Sequence, residues 1–334
     1  MAVEDNKHGQ YITSEPQLRK LISPYPKMLD KRICPELDLY CLELIERSSL
    51  MIAAYGHSRC FMDVLSKNDV VIVDSTTITL SPSNGVGPQY DGVYASVYFL
   101  VPGIGHGLRV NGQIQHYEQT LVFKVKSAYL HCARAAARAE LWTGSSSQKQ
   151  ADITPFMTPE KFLDVSPYLL MKTMNEVGET ELSPRGDKGR AVYSVDQSSL
   201  FIPERPGNKV AISLRNILKN DQVELLMFIP GTDFIMHVHG HATLTRKEQI
   251  LDLAVVNNKR PKLGILLDHC RFSIEQSNAI QQSQPWLSES HVSSDCLTRF
   301  SKALSIHMNG EGFIGKAATP FIDAVVKNDM KNLY

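Results

Sequence analysis

Two stretches of this chain repeat one another at a fixed spacing, and that repeat limits what the chain can fold into. LVPGIGHGLRVNGQI (Leu100–Ile114) and FIPGTDFIMHVHGHA (Phe228–Ala242) align so that Pro102 and Pro230, Gly103 and Gly231, Val110 and Val238, and Gly112 and Gly240 each lie 128 residues apart. Further upstream DVLSKND (Asp63–Asp69) aligns with TELSPRGD, which ends at Asp187, at an offset of 118. The first copy is therefore ten residues shorter between the two landmarks, and Lys67 falls opposite Arg185.

Around each copy lie short β-branched runs bounded by turn residues: DVVIVDSTTITL, VYASVYFLVPG and TLVFKVKSAYL in the first, and AVYSVD, SLFIP, VELLMFIPG and KLGILLDHCRFSI in the second. Such runs read as antiparallel strands. Helical spacing occurs from Thr13 to Ser49, in ARAAARAELW and in MTPEKFLDV. Many short strands at close spacing, twice over, point to a mainly β fold with flanking helices (α+β): two small barrels in tandem, not a βαβ sheet. The polar stretch GSSSQKQAD reads as a linker. The expected units are residues 1–145, residues 146–288 and a tail, 289–334, with two helices split by NGEG.

Lys plus Arg and Asp plus Glu number 35 each, so no overall field gathers nucleic acid or an anionic membrane, and an anionic ligand needs local arginines. No run is long and apolar enough to span a bilayer and the opening residues lack a leader pattern, so the expected address is cytoplasmic. The six cysteines form no C-x-x-C pair and read as reduced thiols.

SPRGD (Ser183–Asp187), IPERPGN (Ile202–Asn208), SLRNIL (Ser213–Leu218), RVNG (Arg109–Gly112) and LHCARAAARAELW (Leu130–Trp142) resemble the signature segments of the pyridoxamine 5'-phosphate oxidase-like, FMN-binding split-barrel family. An ordinary member carries all five once. Here the second half holds SPRGD, RPGN and SLRN, whereas the first holds RVNG and HCARA; the second has HVHG for RVNG and an EQSNA-like stretch near Glu275 for HCARA. The resemblance implies a two-fold dimer of barrels with FMN in the cleft between them. In a tandem fusion it implies a pseudo-two-fold intramolecular dimer, in which complementary losses leave one composite site.

The resemblance assigns to cofactor binding Ser183, Arg185, Gly186, Asp187, Arg205, Asn208, Lys209, Ser213 and Arg215 from the second half, and Arg109, Asn111, His131, Arg134, Arg138 and Trp142 from the first. Arginines, Lys209 and the Ser213 hydroxyl suit a flavin phosphate. The family's pattern departs in NKVAISLRN, where Val210 and Ile212 replace a basic residue and an acid. The implied activity is an FMN-dependent oxidoreductase acting on a small anionic substrate, as a monomeric pseudo-dimer or a homodimer through the tail. Two alternatives stand beside it. His237, His239 and His241 alternate on one strand and share a face, a possible seat for haem or a transition metal with Glu275, Asp268 or His269. The chain is otherwise a non-catalytic flavin carrier.

Overall fold

A computed structural model describes residues 10–56, 61–82, 87–118, 120–143, 157–310 and 312–334. The expected linker and the boundary near Ser146 lie outside them. Among the described residues there are fifteen strands: β1 (Tyr11–Ile12), β2 (Leu50–Tyr55), β3 (Phe61–Ser66), β4 (Val70–Asp74), β5 (Thr77–Leu80), β6 (Tyr94–Leu100), β7 (Gly107–Tyr117), β8 (Thr120–His131), β9 (Tyr168–Met174), β10 (Thr180–Gly186), β11 (Tyr193–Ser194), β12 (Leu200–Pro203), β13 (Gln222–Phe228), β14 (Phe234–Thr245) and β15 (Gly264–Gln276). They form two antiparallel sheets, in the orders β3-β2-β6-β7-β8-β5-β4 and β10-β9-β13-β14-β15-β12-β11. Adding seven to each strand number of the first gives the second. The fold is mainly β with flanking helices: two split barrels in tandem about a pseudo-two-fold axis.

The register carries the repeat to single residues. Val97 faces Val110 and Leu225 faces Val238; Ala95 faces Gly112 and Val223 faces Gly240, all at the offset of 128. In both sheets the ladder slips at that glycine. The reason is the close approach of the next strand: a Cβ on Gly112 would lie 2.0 Å from the Lys124 carbonyl oxygen, and one on Gly240 2.9 Å from that of Asp268. Gly103 and Gly231 turn the chain before β7 and β14 at φ of 82° and 89°, where a side chain is strained.

The alignment upstream needs a correction. Leu50 faces Ser66, and Tyr168, its equivalent at offset 118, faces Gly186. Ser66 therefore corresponds to Gly186, and the counterpart of Arg185 is Leu65, not Lys67. The β9–β10 hairpin spends two more residues before pairing, which shifts the following strand by one full side-chain period.

Each barrel has its own core, one around Val97, Phe99, Val110 and Phe123, the other around Leu225, Met227, Val238 and Leu267. A third cluster lies between them. It joins Leu50, Ile52, Met62, Tyr98 and Leu100 to Tyr168, Leu170, Leu182, Leu226 and Phe228, largely equivalent positions, as expected of an isologous interface. The helix Arg134–Arg138 packs on β10, and its equivalent, Asn278–Ser283, packs on β3.

The expected first unit, residues 1–145, does not keep to one sheet. β1 pairs with β14, and Ile12 and Leu18 of the helix Glu15–Leu21 are buried in the second core. The N-terminal segment thus crosses to the other barrel to cover apolar surface. The expected tail helices are present as Phe300–Asn309 and Phe313–Lys331. Among the described residues no helix is long and apolar enough to cross a membrane.

Candidate functional site

A cavity of about 130 Å³ opens between the barrels, where β10 and the loop after β12 face the end of β8 and the helix Arg134–Arg138. The second half contributes Ser183, Arg185, Gly186, Asp187, Glu204, Arg205, Asn208 and Ser213; the first contributes Arg32, Arg109, His131, Cys132, Arg134 and Arg138. Close approach is built in at Gly186, where a Cβ would lie 2.1 Å from the Ala135 carbonyl oxygen.

Six arginines converge here, and protein carboxylates neutralise only part of their charge. Arg109 of β7 is buried and bridges the barrels: Nη2 lies 2.8 Å from Glu181 Oε2, Nη1 donates to the Leu182 carbonyl at 2.5 Å and to Ser183 Oγ at 3.2 Å, and the guanidinium sits 4.3 Å from the Tyr129 ring centroid. Arg185 pairs with Glu204, Arg205 with Asp187, and Arg134 with Asp329 at 3.4 Å. Yet Nε of Arg32, Arg109, Arg134 and Arg185, and Nε2 of His131, are buried without a hydrogen-bond partner among the described residues. Unpaired buried donors each cost about 1–3 kcal/mol. All five residues line this one cavity, and the four guanidinium N–H groups among them make it a site short of acceptors.

The titration behaviour agrees. Burial lowers the pKa of Arg32 and Arg138 and brings that of Arg109 down to about 10. Burial, and then the neighbouring arginines, hold His131 well below the ordinary imidazole range, so it is neutral at pH 7. A bound anion relieves both penalties.

The loop from Arg205 to Ser213 shapes one wall. Lys209 and Ala211 both adopt positive φ, 64° and 57°, and Arg19 holds the loop by donating to the carbonyls of Lys209 (2.9 Å) and Val210 (3.3 Å). Left-handed alanine is costly, and such outliers cluster at binding sites.

The tail reaches the same cleft. Tyr334 donates its hydroxyl to Asp187 Oδ1 at 2.7 Å, and its ring lies 5.2 Å from the Arg205 guanidinium and 5.9 Å from that of Arg138. Arg138 Nε donates to the Leu333 carbonyl at 2.7 Å, and Lys259 Nζ to that of Tyr334 at 2.8 Å. Tyr334 also lines a neighbouring cavity of about 580 Å³, on the far side of the Arg205–Asn208 loop, with Lys209, Lys259 and Lys262.

Of the residues expected at the site, Ser183, Arg185, Gly186, Asp187, Arg205, Asn208, Ser213, Arg109, His131, Arg134 and Arg138 are brought together. Four are not. Arg215 points away from the cleft toward Glu15 at 3.5 Å, because on a helix it stands about 200° round from Ser213. Lys209 turns into the neighbouring cavity. Asn111 is committed to Glu181 Oε1 at 3.0 Å and Ser96. Trp142 packs on Trp286 at 5.5 Å and donates to the Ile104 carbonyl, as an interface residue. Arg32, Cys132, Glu204 and Tyr334 line the cleft or reach into it without having been expected there; only Glu204, inside IPERPGN, and Cys132, inside LHCARAAARAELW, carried a signal.

The histidine strand is not a metal centre in this structure. His237, His239 and His241 do share the outer face of β14, but each meets its own carboxylate: Glu275 at 3.2 Å, Glu224 at 3.6 Å and Asp221 at 3.1 Å. The His239 and His241 ring centroids lie 6.2 Å apart, and among the described residues no three ligand atoms converge there.

No known family profile matches this sequence, and no curated protein does. Among solved structures the chain is similar to HupZ of Group A Streptococcus, 16% identical with a TM-score of 0.31 over 36% of this chain and 96% of that one. It is similar to HutZ, the heme storage protein of Vibrio cholerae, 12% identical with a TM-score of 0.26 over 35% of this chain and 90% of that one. A third is a putative pyridoxamine 5'-phosphate oxidase of Lactobacillus delbrueckii, 16% identical with a TM-score of 0.28 over 36% of this chain and 93% of that one.

Proposed function

We propose that this chain is a flavin-dependent oxidoreductase that binds one FMN in the arginine-lined cleft and acts on a small anionic substrate. The observation that carries the reading is the set of buried, unpartnered donors from both barrels facing one cavity. They fit the anionic end of the cofactor, with Arg185, Ser183 and Ser213 as donors on one side and Arg134 and Arg138 on the other.

The isoalloxazine ring needs more room than the cleft itself offers. A cavity of about 130 Å³ is well below the roughly 300–1,000 Å³ of ordinary cofactor sites. The larger neighbour lies across the loop 204–208, and Tyr334, which lines that neighbour, is hydrogen-bonded to Asp187 of the cleft. The flavin, when bound, supplies hydride or electron transfer. The protein's own groups bind and orient: neutral His131 presents Nε2 without adding charge, Arg109 fixes the two barrels at the cleft, and the tail excludes water. Because one chain supplies both barrels, a second copy is not needed to complete this cleft.

Titration of the purified protein with FMN, followed by flavin fluorescence, tests the reading. One FMN per chain is expected. Two per chain would mean that the pseudo-symmetric cleft also works, and a Soret band from added haem without flavin binding would replace the reading altogether. Tyr334→Ala is expected to tighten FMN binding about 5- to 10-fold, because it removes a competing hydrogen bond worth about 1 kcal/mol together with the ring's contacts. Unchanged affinity would place the ring elsewhere.

A further inference from the structure

The tail touches the first barrel at a second place, away from the cleft. Its helix Phe300–Asn309 lies against the turn Lys27–Arg32 and sets His307 over the segment that leads into the helix Leu39–Arg47. There the Cys34 thiol sulfur, a carboxylate oxygen of Asp38 and a ring nitrogen of His307 all lie within 4.8 Å of one another. The His307 side chain is 1% exposed, and Tyr40 closes over it edge-on at 5.9 Å. His307 Nε2 lies 2.6 Å from Asp38 Oδ2, a pair whose shared proton a metal ion would replace. Buried Cys41 stands beside Asp38, which caps its helix by accepting from the Cys41 N–H at 2.9 Å.

A thiol, an imidazole and a carboxylate whose ligand atoms converge within 4.8 Å at a buried histidine are a ligand set. We propose that Cys34, Asp38 and His307 hold a zinc ion. Thiolate with imidazole selects a borderline-soft divalent metal over magnesium or calcium, which take oxygen ligands. Zinc bonds of about 2.0–2.3 Å place tetrahedral donors roughly 3.3–3.7 Å apart, so Asp38 Oδ2 and His307 Nε2, 2.6 Å apart here, part slightly to admit the ion. A thiolate and a carboxylate balance the ion's two charges, and a water would complete the tetrahedron. The ion joins residues more than 260 positions apart, so it staples the tail to the barrel. No C-x-x-C spacing announces it because the ligands come from distant segments.

The full chain, purified without chelator and dialysed against micromolar zinc, is expected to carry one zinc per chain by elemental analysis. Cobalt in place of zinc should give a thiolate charge-transfer band and intense tetrahedral visible bands. Cys34→Ser and His307→Ala are expected to lower metal content at least tenfold, with Cys34→Ser covering the case in which His307→Ala releases the tail. Arg185→Ala, in the cleft, should retain the metal. A folded wild-type chain that takes up no zinc, a cobalt spectrum without the thiolate band, or a Cys34→Ser variant that binds as the parent does would each overturn the proposal.

Discussion

Replacing Arg109 by methionine is expected to destabilise the protein by about 3 kcal/mol, because it leaves the largely buried Glu181 without its counter-charge at the contact between the barrels, with only Asn111 and Tyr129 donating to it. Both partners show what burial costs. It brings Arg109 down to about 10, and it raises Glu181 above the ordinary carboxylate range although Arg109 and the Asn111 amide oppose the rise. Desolvation outweighs attraction on each side, so the pair holds the barrels in register without being a large net source of stability. The double variant Arg109→Met/Glu181→Leu should therefore recover most of the loss, and urea unfolding of the four proteins measures the coupling. A double variant as unstable as the sum of the singles would show two independent roles. The sign of the pH dependence follows from the raised Glu181. Its contribution is fully present below its unfolded pKa and is lost as pH rises through the folded value, so Glu181→Gln should flatten stability across that window.

What the sequence made legible was whatever a repeat or a motif could carry. The offset of 128 relates the β6–β7 hairpin to the β13–β14 hairpin throughout, because hairpin register admits no one-residue slip without turning a core face outward. His131 and Glu275 occupy equivalent ends of β8 and β15, as the pairing of HCARA with the EQSNA-like stretch required. The failures are geometric. A two-residue difference in a hairpin moved the counterpart of Arg185 from Lys67 to Leu65, a buried core residue. Ser213 and Arg215 are neighbours in a motif and opposite on a helix. Alternation put three histidines on one face but could not tell that each had its own acid across the sheet. Arg32 and Tyr334 could not be read at all, because they reach the cleft through tertiary packing of segments that carry no motif.

Arg185→Ala is expected to weaken FMN binding by about 1.5–3 kcal/mol, roughly 10- to 150-fold, the scale of a hydrogen bond to a charged group. The side chain is 17% exposed and anchored by Glu204, so little entropy is spent in presenting its free Nε to the cleft. Its loss also leaves Glu204 facing the ligand unneutralised, which adds repulsion to the missing bond. Riboflavin, which lacks the phosphate, separates two versions of the role. If Arg185 holds the phosphate, its removal should cost FMN affinity and leave riboflavin nearly unchanged; equal losses would place it against the ring. Lys67→Ala is the control. Lys67 is exposed and donates to the Glu46 carbonyl at 2.8 Å, outside the cleft lining, so it should change neither affinity. Equal effects of Lys67→Ala and Arg185→Ala would mean that the anion is not bound between the SPRGD strand and the helix that faces it, and the single-site reading would fall with it.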